Sequence, residues 1–282
     1  MHEAGSITLT YVVYGTAFVL WLILFAAWLL KTSLGRKALA GSLPRRNNMP
    51  VYFPLIPMAI WFGAISLALS TTEKLLPELP EWQLAFLRHL ILCVGAITAI
   101  VIIICLARAS FARRLKGFGL DAKTIVKDLF AGALNLLAVY PLILLAVLPT
   151  LFLGQRIYGP DFQISQHEEL KLITAHPQLS LRILVIIIAV VVAPVFEELL
   201  FRGLFQTVIR SHLANPWLSI VFSSLLFTMV HQEPGHWLSL FVLAMCLGYA
   251  YEKSGSLFRP IFIHALFNAI TIAFVLHDAH KV

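Results

Sequence analysis

Two adjacent glutamates and an arginine stand inside an apolar run, APVFEELLFRGLF, at residues 193–205. Downstream, LLFTMVHQEPGHW (residues 225–237) places His231 four residues after Phe227, and FIHALFNAI (residues 262–270) repeats that spacing with His264 and Asn268. Carboxylate, imidazole and carboxamide are groups that activate water and stabilise developing negative charge. Helical geometry sorts them. Glu198 and Arg202 are four apart with the acid first, the favourable order for an ion pair on one helix face. Glu197 is rotated by about 100° from its neighbour. It therefore lacks a local cation and is available for proton transfer. A structural charge network between helices is an equally open reading of this window alone. A single histidine near a membrane helix end is more often an interhelical hydrogen-bonder than a catalyst.

The surroundings make these polar groups conspicuous. The chain has 282 residues, 60% hydrophobic and 12% charged, with a mean hydropathy of +0.87. Soluble domains are about 45–50% apolar and about 25% charged. The composition is that of an integral membrane protein, all-α, and it excludes an ordinary soluble enzyme. A span needs about 20 apolar residues, and eight runs are expected to be helical and to cross: 7–30, 51–70, 84–107, 129–153, 183–209, 217–231, 237–251 and 261–276. Arg88 and His89 lie at the start of the third run, where a long side chain can snorkel. A charge near the bilayer centre costs from about 3 to more than 10 kcal/mol. The last third, with its buried Glu, Arg, His and Asn, is thus the place to look for function.

Lysine and arginine set the expected orientation. The loops after the first and third runs are basic, with Arg36, Lys37, Arg45 and Arg46 in one and Arg108, Arg113, Arg114 and Lys116 in the other. Both are expected in the cytoplasm, together with Arg210, Lys253 and Arg259, and both termini outside. The net charge of +7 is accounted for by loops facing anionic lipid, with no nucleic-acid partner. Cys93, Cys105 and Cys246 fall within runs and show no CxxC spacing, so they are expected to be small core hydrophobes. The organisation expected is a four-span accessory region at 1–155, a polar non-cytoplasmic loop at 156–180 and a four-span catalytic region at 181–282. HEEL (residues 167–170) in that loop is expected to be solvated. Glu233 and His236, in a Pro-Gly turn, are expected to cap or line the entrance of the site rather than to bind a metal.

The ordered set EExxxR (Glu197 to Arg202), FxxxH (Phe227 to His231) and HxxxN (His264 to Asn268) resembles the CPBP family of type II CAAX prenyl endopeptidases and lysostaphin-resistance-like membrane proteins. The resemblance covers about residues 181–272. It implies an intramembrane protease acting on a membrane-anchored or prenylated polypeptide. Glu197 with His231 would activate water, and His264 with Asn268 would stabilise the oxyanion. Glu198 and Arg202 would hold the helix and orient their neighbours. Family members are described both as metalloproteases and as metal-free glutamate hydrolases. If a divalent metal such as zinc is bound, Glu197, His231 and His264 match a His₂Glu ligand set, although the preorganised HExxH is missing.

Other classes leave fewer traces. Neither HExxH nor GxSG occurs, and GFGLD (residues 117–121) reads as a turn in a basic loop. A transporter using the Glu/His cluster as a proton relay, or an inactive scaffold, stays open as the alternative. A bacterial-type plasma membrane is the default location. Counting 1.5 Å per residue from cytoplasmic ends near Arg210, Trp217 and Arg259 puts Glu197 and His231 about 20 Å deep but His264 only about 8 Å. That mismatch is an expectation for the structure to resolve.

Overall fold

The computed structural model describes residues 2–231 and 233–279. Without water, backbone polar groups must be satisfied inside the segment, and helices do this. The helices run α1 (His2–Lys31), α2 (Leu55–Ser70), α3 (Glu81–Ser110), α4 (Arg114–Phe118), α5 (Ile125–Tyr158) and α6 (Glu168–Ala175). One rod, Leu179–Leu213, then contains α7 (Leu179–Ile187), α8 (Ala193–Glu197) and α9 (Thr207–Leu213). Two π-helical stretches, Ile188–Val192 and Glu198–Gln206, join its three parts. α10 (Pro216–Met229), α11 (Trp237–Ser254) and α12 (Phe258–Ala279) complete the fold. Among the described residues, strand-like pairing is limited to one isolated bridge between Asn47 and Phe111.

Each apolar run named above is helical over most of its length, with residues 51–54 and 230–231 lying outside the helices. Four helices are long and apolar enough to cross a bilayer: Glu81–Ser110, Ala122–Tyr158, Leu179–Leu213 and Phe258–His277. Gly15–Lys31, Leu55–Ser70 and Pro216–Met229 are shorter apolar helices. The protein is an integral membrane protein on these grounds. Large apolar side chains such as Val94, Ile97 and Val101 of α3 and Leu134, Leu137 and Leu148 of α5 are exposed, as a lipid-facing surface requires. Cys105 corrects one expectation. It is exposed rather than part of the core, because α3 turns Ile103 and Ala107 inward instead.

The core that positions the polar groups is built around the long rod. Phe196, Leu199, Leu200, Phe201 and Leu204 pack with Ala96, Ala99 and Ile103 of α3, Phe227 of α10 and Ala244 of α11. A second cluster joins Leu136, Val139 and Ile143 of α5 to Leu243, Leu247 and Ala250 of α11 and Ile263 of α12. Small residues set the closest approach. A Cβ on Gly203 would lie 2.3 Å from the ring of Phe118, which is itself fully buried. That position must be glycine for α4 to close on the rod.

Local signals place the ends. Asn215 caps α10, its side chain accepting from the backbone N–H groups of Trp217 and Leu218, with Pro216 at the first turn where its missing donor costs nothing. Gly255 ends α11 at φ +73°, the left-handed conformation that favours glycine. α10 stops at Met229, two residues before the end read from hydropathy. His231 therefore lies just beyond the helix.

Several expected loop cations are instead enclosed. Arg210 is buried and donates from Nε to Glu252 Oε1 at 3.1 Å. Arg45 lies 3.8 Å from Glu252 Oε2 and 3.6 Å over the Tyr251 ring, and Lys253 donates to the Ala38 carbonyl at 2.7 Å. The segment after α1 is thus folded onto the end of α11. A lone buried Glu252 would be costly, and these cations compensate it.

Candidate active site

The rod supplies two carboxylates that meet different fates. Glu198 is fully buried. Its Oε1 accepts from Arg202 Nη1 at 3.0 Å and from His264 Nδ1 at 2.9 Å. Arg202, also fully buried, donates from Nη2 to the Ala244 carbonyl at 3.2 Å and stands 4.6 Å over the Phe227 ring. The expected i,i+4 pair therefore forms, and it reaches three further elements. Glu197 has a buried Oε2 with no hydrogen-bond partner, 3.8 Å from His264 Nε2. Glu198 Oε2 is likewise buried without a partner, but Glu198 is fixed through Oε1, whereas no hydrogen bond holds Glu197.

The histidines are oriented from behind. His231 Nδ1 lies 2.7 Å from the Phe227 carbonyl, so Nδ1 carries the hydrogen and donates. Its Nε2 keeps a lone pair in the neutral ring. His264 Nδ1 is engaged by Glu198 in the same way. Phe227 links the two rings, with centroids 4.7 Å from His231 and 5.8 Å from His264. The FxxxH motif thus contributes its phenylalanine as the contact surface on which Arg202 and both imidazoles rest.

Asn268 does a different job. In the π-helical stretch Ile188–Val192 the N–H of Ala193 bonds to the Ile188 carbonyl. The Ala189 carbonyl would next look to residue 194 in the π pattern. That residue is proline and has no N–H. Asn268 Nδ2 donates to this carbonyl at 2.8 Å, which closes the ladder and ties α12 to the rod. The proline was visible in the sequence, but only the change of helix type makes the missing donor fall at Ala189.

The structure brings Glu197, Glu198, Arg202 and His264 into one directly contacting group. His231 joins through Phe227, and Asn268 is anchored to the backbone of the rod. The depth mismatch disappears, since His264 lies beside both glutamates. Arg259 donates to Asp128 Oδ1 at 3.0 and 2.8 Å, and Asp128 is buried in the first turn of α5, so the start of α12 is tied to the start of α5.

With that geometry in place, the chain can be set beside known families. Residues 179–270 match the type II CAAX prenyl endopeptidase Rce1-like family. The matched segment holds all six candidate residues, in agreement with the resemblance carried by the three motifs. A relative from Escherichia coli, an uncharacterized 24.3 kDa protein, is 34% identical over 86 residues. That match covers 29% of this chain and 40% of the relative. No solved structure matches the chain.

Two residues outside the Rce1-like motifs shape its centre and were missed from sequence. Ser223 donates to the Phe201 carbonyl at 2.8 Å, and Gln206 donates to the Gly248 carbonyl at 3.1 Å. Both are buried. A serine and a glutamine in apolar runs are weak signals alone. Ser223 gives a lateral partner to a carbonyl of the second π-helical stretch, and Gln206 reaches from that stretch to α11.

Proposed function

We propose that the chain is an intramembrane endopeptidase that hydrolyses a peptide bond in a membrane-anchored or prenylated polypeptide. The observation that carries this reading is the inequality of the two glutamates. Glu198 is held through Oε1 by Arg202 and His264, whereas no hydrogen bond holds Glu197, whose buried Oε2 lies 3.8 Å from His264 Nε2. A carboxylate so placed can accept a proton from water, a contribution worth about 10²- to 10⁴-fold in rate. The match to the Rce1-like family supports the same activity for residues 179–270.

The roles follow from the hydrogens available. Glu197, as carboxylate, takes the proton of the attacking water. His231 offers its Nε2 lone pair to the other side of that water. His264 gives its Nδ1 hydrogen to Glu198, so it donates to an oxyanion only when Nε2 also carries a hydrogen. Asn268 keeps one amide hydrogen beyond that used on Ala189, and this is the second oxyanion donor. Each such donor is worth about 3–4 kcal/mol of transition-state stabilisation.

Donor chemistry and spacing point differently for a metal. Both imidazoles use Nδ1 on a backbone carbonyl or carboxylate, the outer-shell pattern of metal-binding histidines, and a zinc held by Glu197, His231 and His264 would supply a water of lowered pKa. Yet these three are not a group whose ligand atoms all lie within 4.8 Å of one another. The steps above are accordingly assigned to the side chains themselves.

The experiment is cleavage of a prenylated CAAX-type peptide and of a single-span membrane peptide by the purified protein in liposomes. Wild type is expected to cleave one of them and Glu197→Gln to lose cleavage. Equal cleavage by the variant removes Glu197 as base. Proton flux without substrate that depends on Glu197 replaces the hydrolase with a transporter.

A further inference from the structure

A second polar cluster lies away from the Glu197 centre, where the segment between α5 and α7 meets the turn after α10. That segment is pressed onto the bundle. Phe162 covers Gly154 so closely that a Cβ there would be 2.1 Å from its ring, and Ile164 packs 3.3 Å from where a Cβ on Gly235 would lie. His167 and His236 are thereby stacked, with ring centroids 3.8 Å apart. Between them stands Glu233. Its Oε2 is 3.3 Å from His167 Nδ1 and 3.2 Å from His236 Nε2. It is also buried and has no hydrogen-bond partner, so neither nitrogen aims a hydrogen at it.

Three donor atoms close together with no hydrogen between them suit a cation at their centre. The ligand atoms of His167, Glu233 and His236 all lie within 4.8 Å of one another, the one such group among the described residues. A tetrahedral zinc with bonds of about 2.0–2.1 Å separates neighbouring ligand atoms by about 3.3 Å. The two N···O distances already have that length. Two imidazoles and a carboxylate favour zinc-class ions over magnesium or calcium, which take oxygen.

We propose that His167, Glu233 and His236 form a site for a divalent transition metal of the zinc class, which clips the polar segment to the turn that follows His231. His167 would bind through Nδ1, Glu233 through Oε2 and His236 through Nε2, leaving one position for water. In the metal-free arrangement His236 Nε2 donates to the Ser165 carbonyl at 2.8 Å. Binding moves that hydrogen to Nδ1 of the same ring, so no net proton is released by His236. The clip also reaches the active centre's edge, since Trp237, next to His236, donates from Nε1 to the His231 carbonyl at 2.8 Å.

The test uses full-length protein in detergent, stripped with chelator and titrated with zinc chloride. Bound zinc is measured by elemental analysis and the melting temperature is followed in parallel. Wild type is expected to retain one zinc per chain after desalting and to melt higher with zinc than with chelator. His167→Ala and His236→Ala are expected to lose both effects while melting like wild type in chelator. Glu197→Gln and His264→Ala keep both. Zinc that stays with His167→Ala and His236→Ala but leaves with His264→Ala overturns the proposal, as does a wild-type melt that zinc does not move or that magnesium moves equally.

Discussion

His264 donates through Nδ1 to Glu198 Oε1 at 2.9 Å, and that same oxygen accepts from Arg202 at 3.0 Å. One atom thus holds both the ring that faces Glu197 and the cation that balances the charge. Removing the charge leaves Arg202 buried without its partner, which costs about 3–5 kcal/mol. Glu198→Gln is therefore expected to lower the denaturation midpoint strongly. Adding Arg202→Met should restore much of the stability but not the cleavage, because His264 loses its anchor. Chemical denaturation in detergent beside a peptide-cleavage assay separates the two effects.

Glu197 is expected to behave in the opposite way. Its Oε2 makes no hydrogen bond, so Glu197→Gln removes little that the fold uses. The melting temperature should stay close to that of wild type, since the substitution keeps the side-chain shape and removes no hydrogen bond. Cleavage should fall by about 10²- to 10⁴-fold. A large loss of stability would show that Glu197 is a structural residue.

Asn268 replaces a donor that Pro194 lacks. Asn268→Ala leaves the Ala189 carbonyl unsatisfied and is expected to cost about 1–3 kcal/mol. Pro194→Ala should partly offset that loss by returning an N–H to the rod. A double-mutant cycle on thermal stability checks this, and simple additivity of the two changes would refute the assignment.

Gly203 is occupied closely by Phe118, whose ring would stand 2.3 Å from an added Cβ. Gly203→Ala is expected to destabilise by about 1–3 kcal/mol, the usual cost of overpacking. Phe118→Leu in the same chain should recover part of it. Melting curves of the three variants report the coupling.

Much of this was legible before any coordinates. Apolar runs of span length in a chain with few charges can only become helices in lipid, so the helical class and the positions of α3, α5, the long rod and α12 follow from hydropathy. The i,i+4 spacing of Glu198 and Arg202 dictated their pairing, because helix geometry is local. The three motifs also marked the region that matches the Rce1-like family.

Tertiary structure decided what local rules could not reach. Hydropathy stops at polar residues, so it missed the end of α10 before His231 and the enclosure of Arg210 and Arg45 by Glu252. The start of α12 is held by Arg259 pairing with Asp128, a partner 131 residues away. The inequality of Glu197 and Glu198 needed α12 to bring one imidazole against the rod. His167 and the turn at Glu233–His236 lie far apart in sequence, and their meeting depends on Phe162 covering Gly154. Spacing along a helix fixes which side chains share a face; which faces meet is set by packing between helices, and that is a property of the whole chain.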